Sequence, residues 1–215
     1  MSIRRRLASA RRMGGPAAMR KLIATLGAAI YTTQTLVVFR IRPEQLNPVA
    51  PRLDGGRRWL ARSATASELL GAAATAIPAP LLSEMHAAQP GQRAHWIEVD
   101  SRIASWGLST PWVGAWPLSE THSAIDVPEH GVCLTTFTTL PELRGRQLYP
   151  SVLTEILRER FAEGAQVAFI WCHRDNQASY RAIKRVGFEE VEIHHFRRVL
   201  GIARIDRSTD IRQIA

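Results

Sequence analysis

Residues 132–188 constrain the fold of this chain more than any other segment, because extended and helical patterns alternate there in one fixed order. An apolar strand pattern ends at a basic turn, 140–150, and an amphipathic helical pattern follows. A second apolar run, 167–171, leads to Asn176, a short helix and Gly187-Phe188. A strand that enters a basic turn at a helix N-terminus predicts an anion site, because the free backbone N–H groups and the positive end of the helix dipole point the same way.

Two motifs in this segment resemble those of the GCN5-related N-acetyltransferase (GNAT) superfamily. In that family the turn after the fourth strand has the pattern Arg/Gln-x-x-Gly-x-Gly/Ala and holds the pyrophosphate of acetyl-CoA. The six places are filled by Arg144-Gly145-Arg146-Gln147-Leu148-Tyr149, with Gln147 at a usual glycine and Tyr149 at a usual glycine or alanine. The second motif, Asp-Asn followed by a short helix and Gly-Phe, is present as Asp175-Asn176 and Gly187-Phe188.

The resemblance implies an α/β, GNAT-like fold over residues 36–205, with a mixed, mostly antiparallel sheet and helices on both faces. It also implies acetyl-CoA as co-substrate. Three residues at the end of the strand would pair with pantetheine: Thr138, Thr139 and Leu140. The turn would bind the pyrophosphate through Arg144, Gly145, Arg146, Gln147, Leu148 and Tyr149. Asn176 would hold pantetheine from the other side, which is compatible with its being a helix N-cap, and the alternative for Arg144 and Arg146 is a solvated basic turn.

The catalytic residues are less determined by the sequence. Many members of the family place a tyrosine acid on the helix after Asp-Asn, where this chain has Ile183. Tyr180 lies about one turn earlier, so it is a candidate for the acid, although packing beside pantetheine is the alternative. As candidate bases we consider Glu98, Glu120 and Glu129, and secondarily Asp126, His130 and His173, each of which also fits a solvated or structural role. His194-His195 lacks the partners of a metal site, and we expect no metal.

The expected function is transfer of an acetyl group from acetyl-CoA to a primary amine, by direct attack in a ternary complex. A small-molecule or sugar amine is the expected acceptor by loose analogy with related proteins. Two other classes stay open: a non-catalytic acyl-CoA-binding protein with this fold, and a binder of nucleic acid or anionic membrane through an arginine-rich tail. The sequence does not determine the oligomeric state.

The net charge of +9 is unevenly distributed along the chain. Residues 1–21 contain seven of the 28 basic residues and no acidic one. The remaining residues, 22–215, therefore contain 21 basic and 19 acidic side chains and are nearly neutral. We predict that 1–21 form a disordered or amphipathic basic extension and that 22–215 form one domain. The two cysteines, Cys133 and Cys172, lack metal spacing and suggest a reducing compartment, so a cytoplasmic protein is expected, with peripheral contact to the inner membrane surface as an option.

Local patterns predict the remaining elements. Apolar residues at 36–41 suit a first strand, and the Ala- and Arg-rich region 43–76 suggests two helices, followed by a helical turn at 81–88. Apolar runs on either side of Asp100-Ser101 predict a hairpin, and the proline-containing stretch 111–129 suggests a long loop. Further strands are expected at 131–139, 190–199 and 200–205.

Overall fold

A computed structural model of the chain describes residues 31–71, 77–199 and 202–209. The strands are β1 (Tyr31–Ile41), β2 (Trp59–Thr65), β3 (Arg93–Val99), β4 (Arg102–Leu118), β5 (Ser123–Thr139), β6 (Val167–His173), β7 (Glu189–Val199) and β8 (Ile202–Ser208). The helices are α1 (Ala66–Gly71), α2 (Ala79–His86), α3 (Leu148–Ala162) and α4 (Gln177–Val186). The hydrogen-bonded strand order is β2-β3-β4-β5-β6-β1-β7-β8, in a mixed, mostly antiparallel sheet.

The chain divides into two compact units. The larger consists of Val37–Trp116 and Ala124–Val191, and it contains the four helices found in the described residues. The described part of the smaller unit comprises 31–36, 117–123, 192–199 and 202–209. The candidate site described below lies entirely within the larger unit.

Helices cover both faces of the sheet in the larger unit. Strand β3 shows this directly, because side chains on a strand alternate between faces. Ala94 and Trp96 pack in one cluster with Leu81 and Met85 of α2. Ile97 packs in the other cluster. That second cluster is larger and joins α3 and α4 to the sheet through Val152, Leu153, Ile156, Leu157, Ile183 and Val186.

The turn at Asp100-Ser101 joins β3 and β4, as predicted. Both residues have positive φ, 50° and 63°, which is the backbone of a two-residue type I′ hairpin turn. The two strands pair antiparallel from Arg93 opposite Ser109 to Val99 opposite Arg102, with an irregularity between Ile97 and Glu98.

The two helices predicted for 43–76 are wrong in most of that region. A single 3₁₀ turn spans Pro43–Gln45, an extended connection follows, and Trp59–Thr65 form β2. Within the described residues, helix α1 covers Ala66–Gly71. Pairing of β2 with β3 along seven residues overrides the local helix propensity of this Ala- and Arg-rich stretch, because partners distant in sequence satisfy its backbone groups.

The long loop predicted for 111–129 is also wrong. Strands β4 and β5 run through most of it and leave only a turn at 119–122. Trp112 and Trp116 alternate with the exposed residues Pro111, Val113 and Pro117, which is the period-two pattern of a strand. The prolines concealed that pattern, although proline is tolerated in strands at irregular or solvent-facing positions.

The other element predictions are confirmed within the described residues. Strands occupy 36–41, 131–139, 190–199 and 202–205, and a helix covers 81–86. Both cysteines are buried. The predictions for 1–21 lie outside the described residues, and the assignment of 22–215 to one domain stays a prediction. In the part of the chain that is described, no helix has the length and apolarity needed to cross a membrane.

Candidate functional site

A cleft of about 580 Å³ opens between the end of β5, the N-terminus of α3 and one side of α4. Eight of the ten residues predicted to bind the cofactor line it, and Leu140 and Arg146 do not. The complete lining is Phe137, Thr138, Thr139, Leu143, Arg144, Gly145, Gln147, Leu148, Tyr149, Pro150, Asn176, Ala178, Ser179, Arg181, Ala182 and Arg185.

The turn between β5 and α3 has the backbone of an anion-binding loop. After a 3₁₀ turn at Pro141–Leu143, Gly145 adopts a φ of +78°, and Gln147, the N-cap residue of α3, adopts +61°. A Cβ added to Gly145 would meet no atom within 4 Å, so this stretch of backbone is open to a ligand. Pro150 occupies the third position of α3, where its missing N–H leaves no hydrogen bond unmade.

Strand β5 separates from β6 just before this turn. The two strands pair in parallel from Gly131 to Cys133 of β5, and β5 then bends at Thr136, which has a φ of +56°. A positive φ at a non-glycine residue within a strand is typical of a bulge. The bend therefore directs the end of β5 toward the cleft.

The backbone groups of Thr138 and Leu140 are used on the β4 side. Ser105 Oγ donates to the Thr138 carbonyl at 2.9 Å, and the Leu140 N–H donates to the Ala104 carbonyl at 2.9 Å. Because backbone groups alternate in direction along a strand, those of Phe137 and Thr139 face the opening toward β6. The structure thus corrects the prediction for Leu140, which is partly buried and packs against the core. Thr139 and Phe137, rather than Thr138, have backbone groups directed toward an extended ligand in the cleft.

Arg146 also departs from its predicted place. Its guanidinium lies 3.4 Å from the Asp54 carboxylate, and its carbonyl accepts the Arg52 N–H at 2.9 Å. The side chain is therefore directed to the connection between β1 and β2 and away from the cleft.

Helix α4 forms the opposite wall. Asn176 is its N-cap and accepts the Ser179 N–H at 3.2 Å, and Gly187 ends the helix in a left-handed conformation with a φ of +111°. Ala178, Arg181, Ala182 and Arg185 are spaced three and four residues apart, so they share the face that lines the cleft. The wall thus contains Arg144, Arg181 and Arg185 and no acidic residue, which makes the cleft suitable for a polyanion.

Tyr149 brings a partly buried phenol into the wall. Its ring lies 5.0 Å from that of Phe137, centroid to centroid. Burial raises the pKa of Tyr149 well above its ordinary value, the nearby Cys172 thiol adds to the effect, and a hydrogen bond with Ser179 opposes it. The phenol therefore keeps its proton at neutral pH.

Tyr180, the predicted acid, does not line the cleft. Its hydroxyl donates to Glu190 Oε1 at 2.5 Å, and its ring packs edge-on against Phe39 at 5.4 Å. The hydrogen bond to Glu190 raises the pKa of Tyr180 to about 12, with burial as a second cause. Ile183, at the position where related enzymes place tyrosine, is fully buried in the core.

None of the predicted carboxylates lines the cleft. Glu98 accepts the Trp96 indole N–H at 3.0 Å and forms an ion pair with Arg62 at 3.0 Å, so these contacts assign its carboxylate a structural role. Glu129 is exposed on β5, and Glu120 is exposed in the turn before it, within the smaller unit. His194 is likewise engaged within that unit, by Glu192 at 2.9 Å and Ser123 at 2.8 Å. Among the described residues, no group of three or more His, Cys, Asp or Glu side chains could hold a metal.

Sequence analysis did not identify Arg181 and Arg185 as site residues, and it assigned Tyr149 only to cofactor binding. The signal for the arginines was present as an i, i+4 pair on the helix that follows the Asp-Asn motif. Tyr149 gave no comparable signal, because its direction depends on how the first turn of α3 packs against β5.

Comparison with known proteins supports the fold. No family model and no curated protein matches this chain. Among solved structures, a GCN5-related N-acetyltransferase from Sphaerobacter thermophilus is 15% identical with a TM-score of 0.50, over 86% of this chain and 57% of that one. A Drosophila protein is 12% identical with a TM-score of 0.50, over 85% of this chain and 57% of that one. The chain thus spans 57% of the length of each of these two proteins.

The protein is therefore a GNAT-fold protein. The fold inferred from the turn and from the Asn and Gly-Phe motif is confirmed at the level of strand and helix arrangement.

Proposed function

We propose that the protein is an N-acetyltransferase that binds acetyl-CoA in this cleft and transfers the acetyl group to a primary amine. The observation that carries the proposal is the composition of the cleft wall: a turn with open backbone at a helix N-terminus, three arginines and no acidic residue. The GNAT fold places the acyl-donor site of such enzymes at the corresponding turn, which supports the assignment by analogy. We further propose a small-molecule or sugar amine as the acceptor.

In the proposed reaction a neutral amine attacks the thioester carbonyl, an N–C bond forms, and the C–S bond breaks with its electron pair leaving on sulfur. The amine loses a proton, and the thiolate takes one up. The backbone groups of Phe137 and Thr139 would align the donor by strand-like pairing, and the turn at 144–149 would hold its pyrophosphate. Since no carboxylate lines the described cleft, the contribution of this wall is chiefly positioning and anion binding.

We propose Tyr149 as the proton donor to the leaving thiolate. Tyr149 is the tyrosine among the described residues that line the cleft, and a phenol is protonated at neutral pH. Tyr149→Phe should lower kcat by about 10²-fold, in the range of general acid catalysis, while CoA affinity changes little. Tyr180→Phe is the matched control, since its hydroxyl faces Glu190, and it should leave kcat within about twofold. Equal losses in the two variants would argue against this assignment.

Gly145→Asp tests the cleft as an anion site. Gly145 has a φ of +78° and no neighbour within 4 Å of an added Cβ, so the new carboxylate meets no steric clash but faces the proposed pyrophosphate position. Gly164→Asp is the matched control: Gly164 has a φ of +100° and equally open surroundings, but it lies beyond α3 and outside the cleft. Both variants place a side chain on left-handed backbone and add the same charge.

Binding is measured by titration with CoA, followed by tryptophan fluorescence or calorimetry. We expect Gly145→Asp to weaken CoA binding at least about tenfold, through one lost or repelled charge contact, and Gly164→Asp to bind as the parent does. Turnover is measured as release of free CoA thiol from acetyl-CoA across a panel of amines. Failure of the parent protein to bind CoA, or equal binding by Gly145→Asp, would refute the proposed site.

A non-catalytic acyl-CoA-binding protein is the second candidate. The observation in its favour is the buried, apolar Ile183 at the family's tyrosine position. CoA binding without thiol release from any amine in the panel, together with no effect of Tyr149→Phe, would favour this alternative. The basic residues 1–21 are proposed as an accessory contact to an anionic surface; their deletion should reduce salt-sensitive liposome binding and leave CoA affinity unchanged.

A further inference from the structure

Gln147 lies between two arginine side chains at the edge of the cleft. The guanidinium groups of Arg52 and Arg185 can only donate, so we assign the Gln147 amide oxygen to the position between them. It then accepts from Arg52 Nε at 2.9 Å and from Arg185 Nη1 at 3.3 Å. Within the described residues, neither arginine forms an ion pair with a carboxylate. Two cations thus converge on a single neutral oxygen.

The segment 46–54 holds this arrangement in place. Asn47 binds the end of α4 twice, through its N–H to the Val186 carbonyl at 2.8 Å and its Nδ2 to the Arg185 carbonyl at 2.9 Å. The Val49 N–H donates to Thr154 Oγ1 of α3 at 3.0 Å. The Arg52 N–H donates to the Arg146 carbonyl in the turn at 2.9 Å. Three segments distant in sequence are therefore fixed against one another where the two guanidinium groups meet.

An amide oxygen is a weak partner for two guanidinium groups. A phosphomonoester carries a charge of about −1.5 to −2 at neutral pH and offers three acceptor oxygens, and guanidinium groups bind such oxygens in pairs. Exchange of the neutral amide for a phosphate would therefore strengthen both contacts. The site lies on the outer edge of the turn, next to the proposed pyrophosphate position.

We infer that Arg52, Gln147 and Arg185 form a second phosphate subsite, which takes the 3′-phosphomonoester of CoA and discriminates against donors that lack it. This inference rests on the proposed function, because it assumes that CoA occupies the cleft. Gln147 fills the subsite in the free protein, and the ligand phosphate takes its place between the two guanidinium groups.

The test compares the dissociation constants of CoA and dephospho-CoA by calorimetry at one fixed salt concentration. Dephospho-CoA keeps the pyrophosphate and pantetheine and lacks only the 3′-phosphate, so the ratio of the two constants isolates the subsite. We expect the parent protein to prefer CoA about tenfold or more, as charge-assisted hydrogen bonds to one phosphate would give. Arg52→Ala changes the arginine of the subsite that does not line the cleft, so it should reduce the preference to less than about threefold, with dephospho-CoA affinity changed less than about twofold.

Two further variants make the result specific. Gln147→Glu is nearly isosteric and places a carboxylate between the guanidinium groups, so it should remove the preference for CoA without lowering the thermal midpoint. Arg58→Ala removes an exposed arginine from the same β1–β2 connection and should preserve the preference. Absence of CoA binding refutes the proposed function itself. CoA binding with equal affinity for dephospho-CoA, or equal losses for both ligands in Arg52→Ala, overturns only the subsite.

Discussion

Gly187 offers a quantitative test of how the end of α4 is held. A Cβ added there would lie 2.1 Å from the Gln45 carbonyl oxygen and 3.2 Å from its carbon. An ordinary nonbonded contact is about 3.5 Å, so Gly187→Ala requires a backbone displacement of more than about 1 Å. The neighbouring chain resists this displacement, because the Asn47 N–H is bound to the Val186 carbonyl at 2.8 Å.

The expected loss separates into two parts. The positive φ of +111° penalises any residue with a Cβ by about 1–2 kcal/mol, and crowding of backbone adds about 1–3 kcal/mol. Gly164→Ala isolates the first part, since Gly164 has a φ of +100° and no atom within 4 Å of the new Cβ. We expect Gly164→Ala to lower the free energy of unfolding by about 1–2 kcal/mol and Gly187→Ala by about 2–5 kcal/mol.

Urea unfolding with linear extrapolation measures both variants, and the slope m should stay constant if only stability changes. A second measurement follows from the same geometry. Displacement of the end of α4 moves Arg185 relative to the turn, so CoA affinity should fall in Gly187→Ala under native conditions and remain unchanged in Gly164→Ala. Equal losses of stability in the two variants would refute the view that the Gln45 carbonyl makes glycine necessary at 187.

Two other predictions concern buried polar groups. Burial lowers the pKa of His95, whose Nε2 lies 2.7 Å from Ser109 Oγ. Because the pKa of His95 is lower in the folded than in the unfolded protein, the folded state loses stability as the pH falls below the unfolded-state pKa of about 6.5. His95→Gln should therefore flatten the decline of the urea midpoint between about pH 6.5 and 5. An unchanged decline would contradict this. Ser105→Ala removes the donor to the Thr138 carbonyl, so it should lower the free energy of unfolding by about 1–2 kcal/mol and weaken CoA binding. Loss of stability with unaltered CoA affinity would show that the end of β5 does not position the ligand.

The parts of the cleft wall that depend on residues adjacent along the chain could be predicted from the sequence. The turn at 144–149 follows from a strand, a flexible basic stretch and a helix N-terminus, which are neighbours along the chain. Asn176 and Gly187 also follow from local cap chemistry. The reason that glycine is required at 187 is not local, since it depends on a carbonyl supplied by Gln45.

The sequence-based predictions that the structure contradicts have a common physical cause. Residues 59–65 have the composition of a helix and form a strand because β3 offers a partner. Residues 111–118 contain prolines and form the end of β4, whose neighbours in the sheet are β3 and β5. Leu140 was assigned to the ligand by the resemblance to the GNAT motif, but its N–H is bound to the Ala104 carbonyl. Pairing between distant segments decides each of these cases, and single-sequence patterns contain no direct signal for it.

Two of the departures from the family's pattern, Gln147 and Ile183, have different consequences. Gln147 keeps a φ of +61°, so the turn retains the conformation that glycine would favour, at a conformational cost of about 1–2 kcal/mol. Its side chain offsets part of that cost by accepting from Arg52 and Arg185. Loss of glycine at this place is therefore no argument against anion binding. Ile183, in contrast, is an apolar, buried side chain at the family's tyrosine position, and Tyr180, one turn earlier on α4, does not line the cleft. If the protein is an enzyme, its proton donor must come from another element, and Tyr149 on α3 is the phenol in the wall that can fill this role.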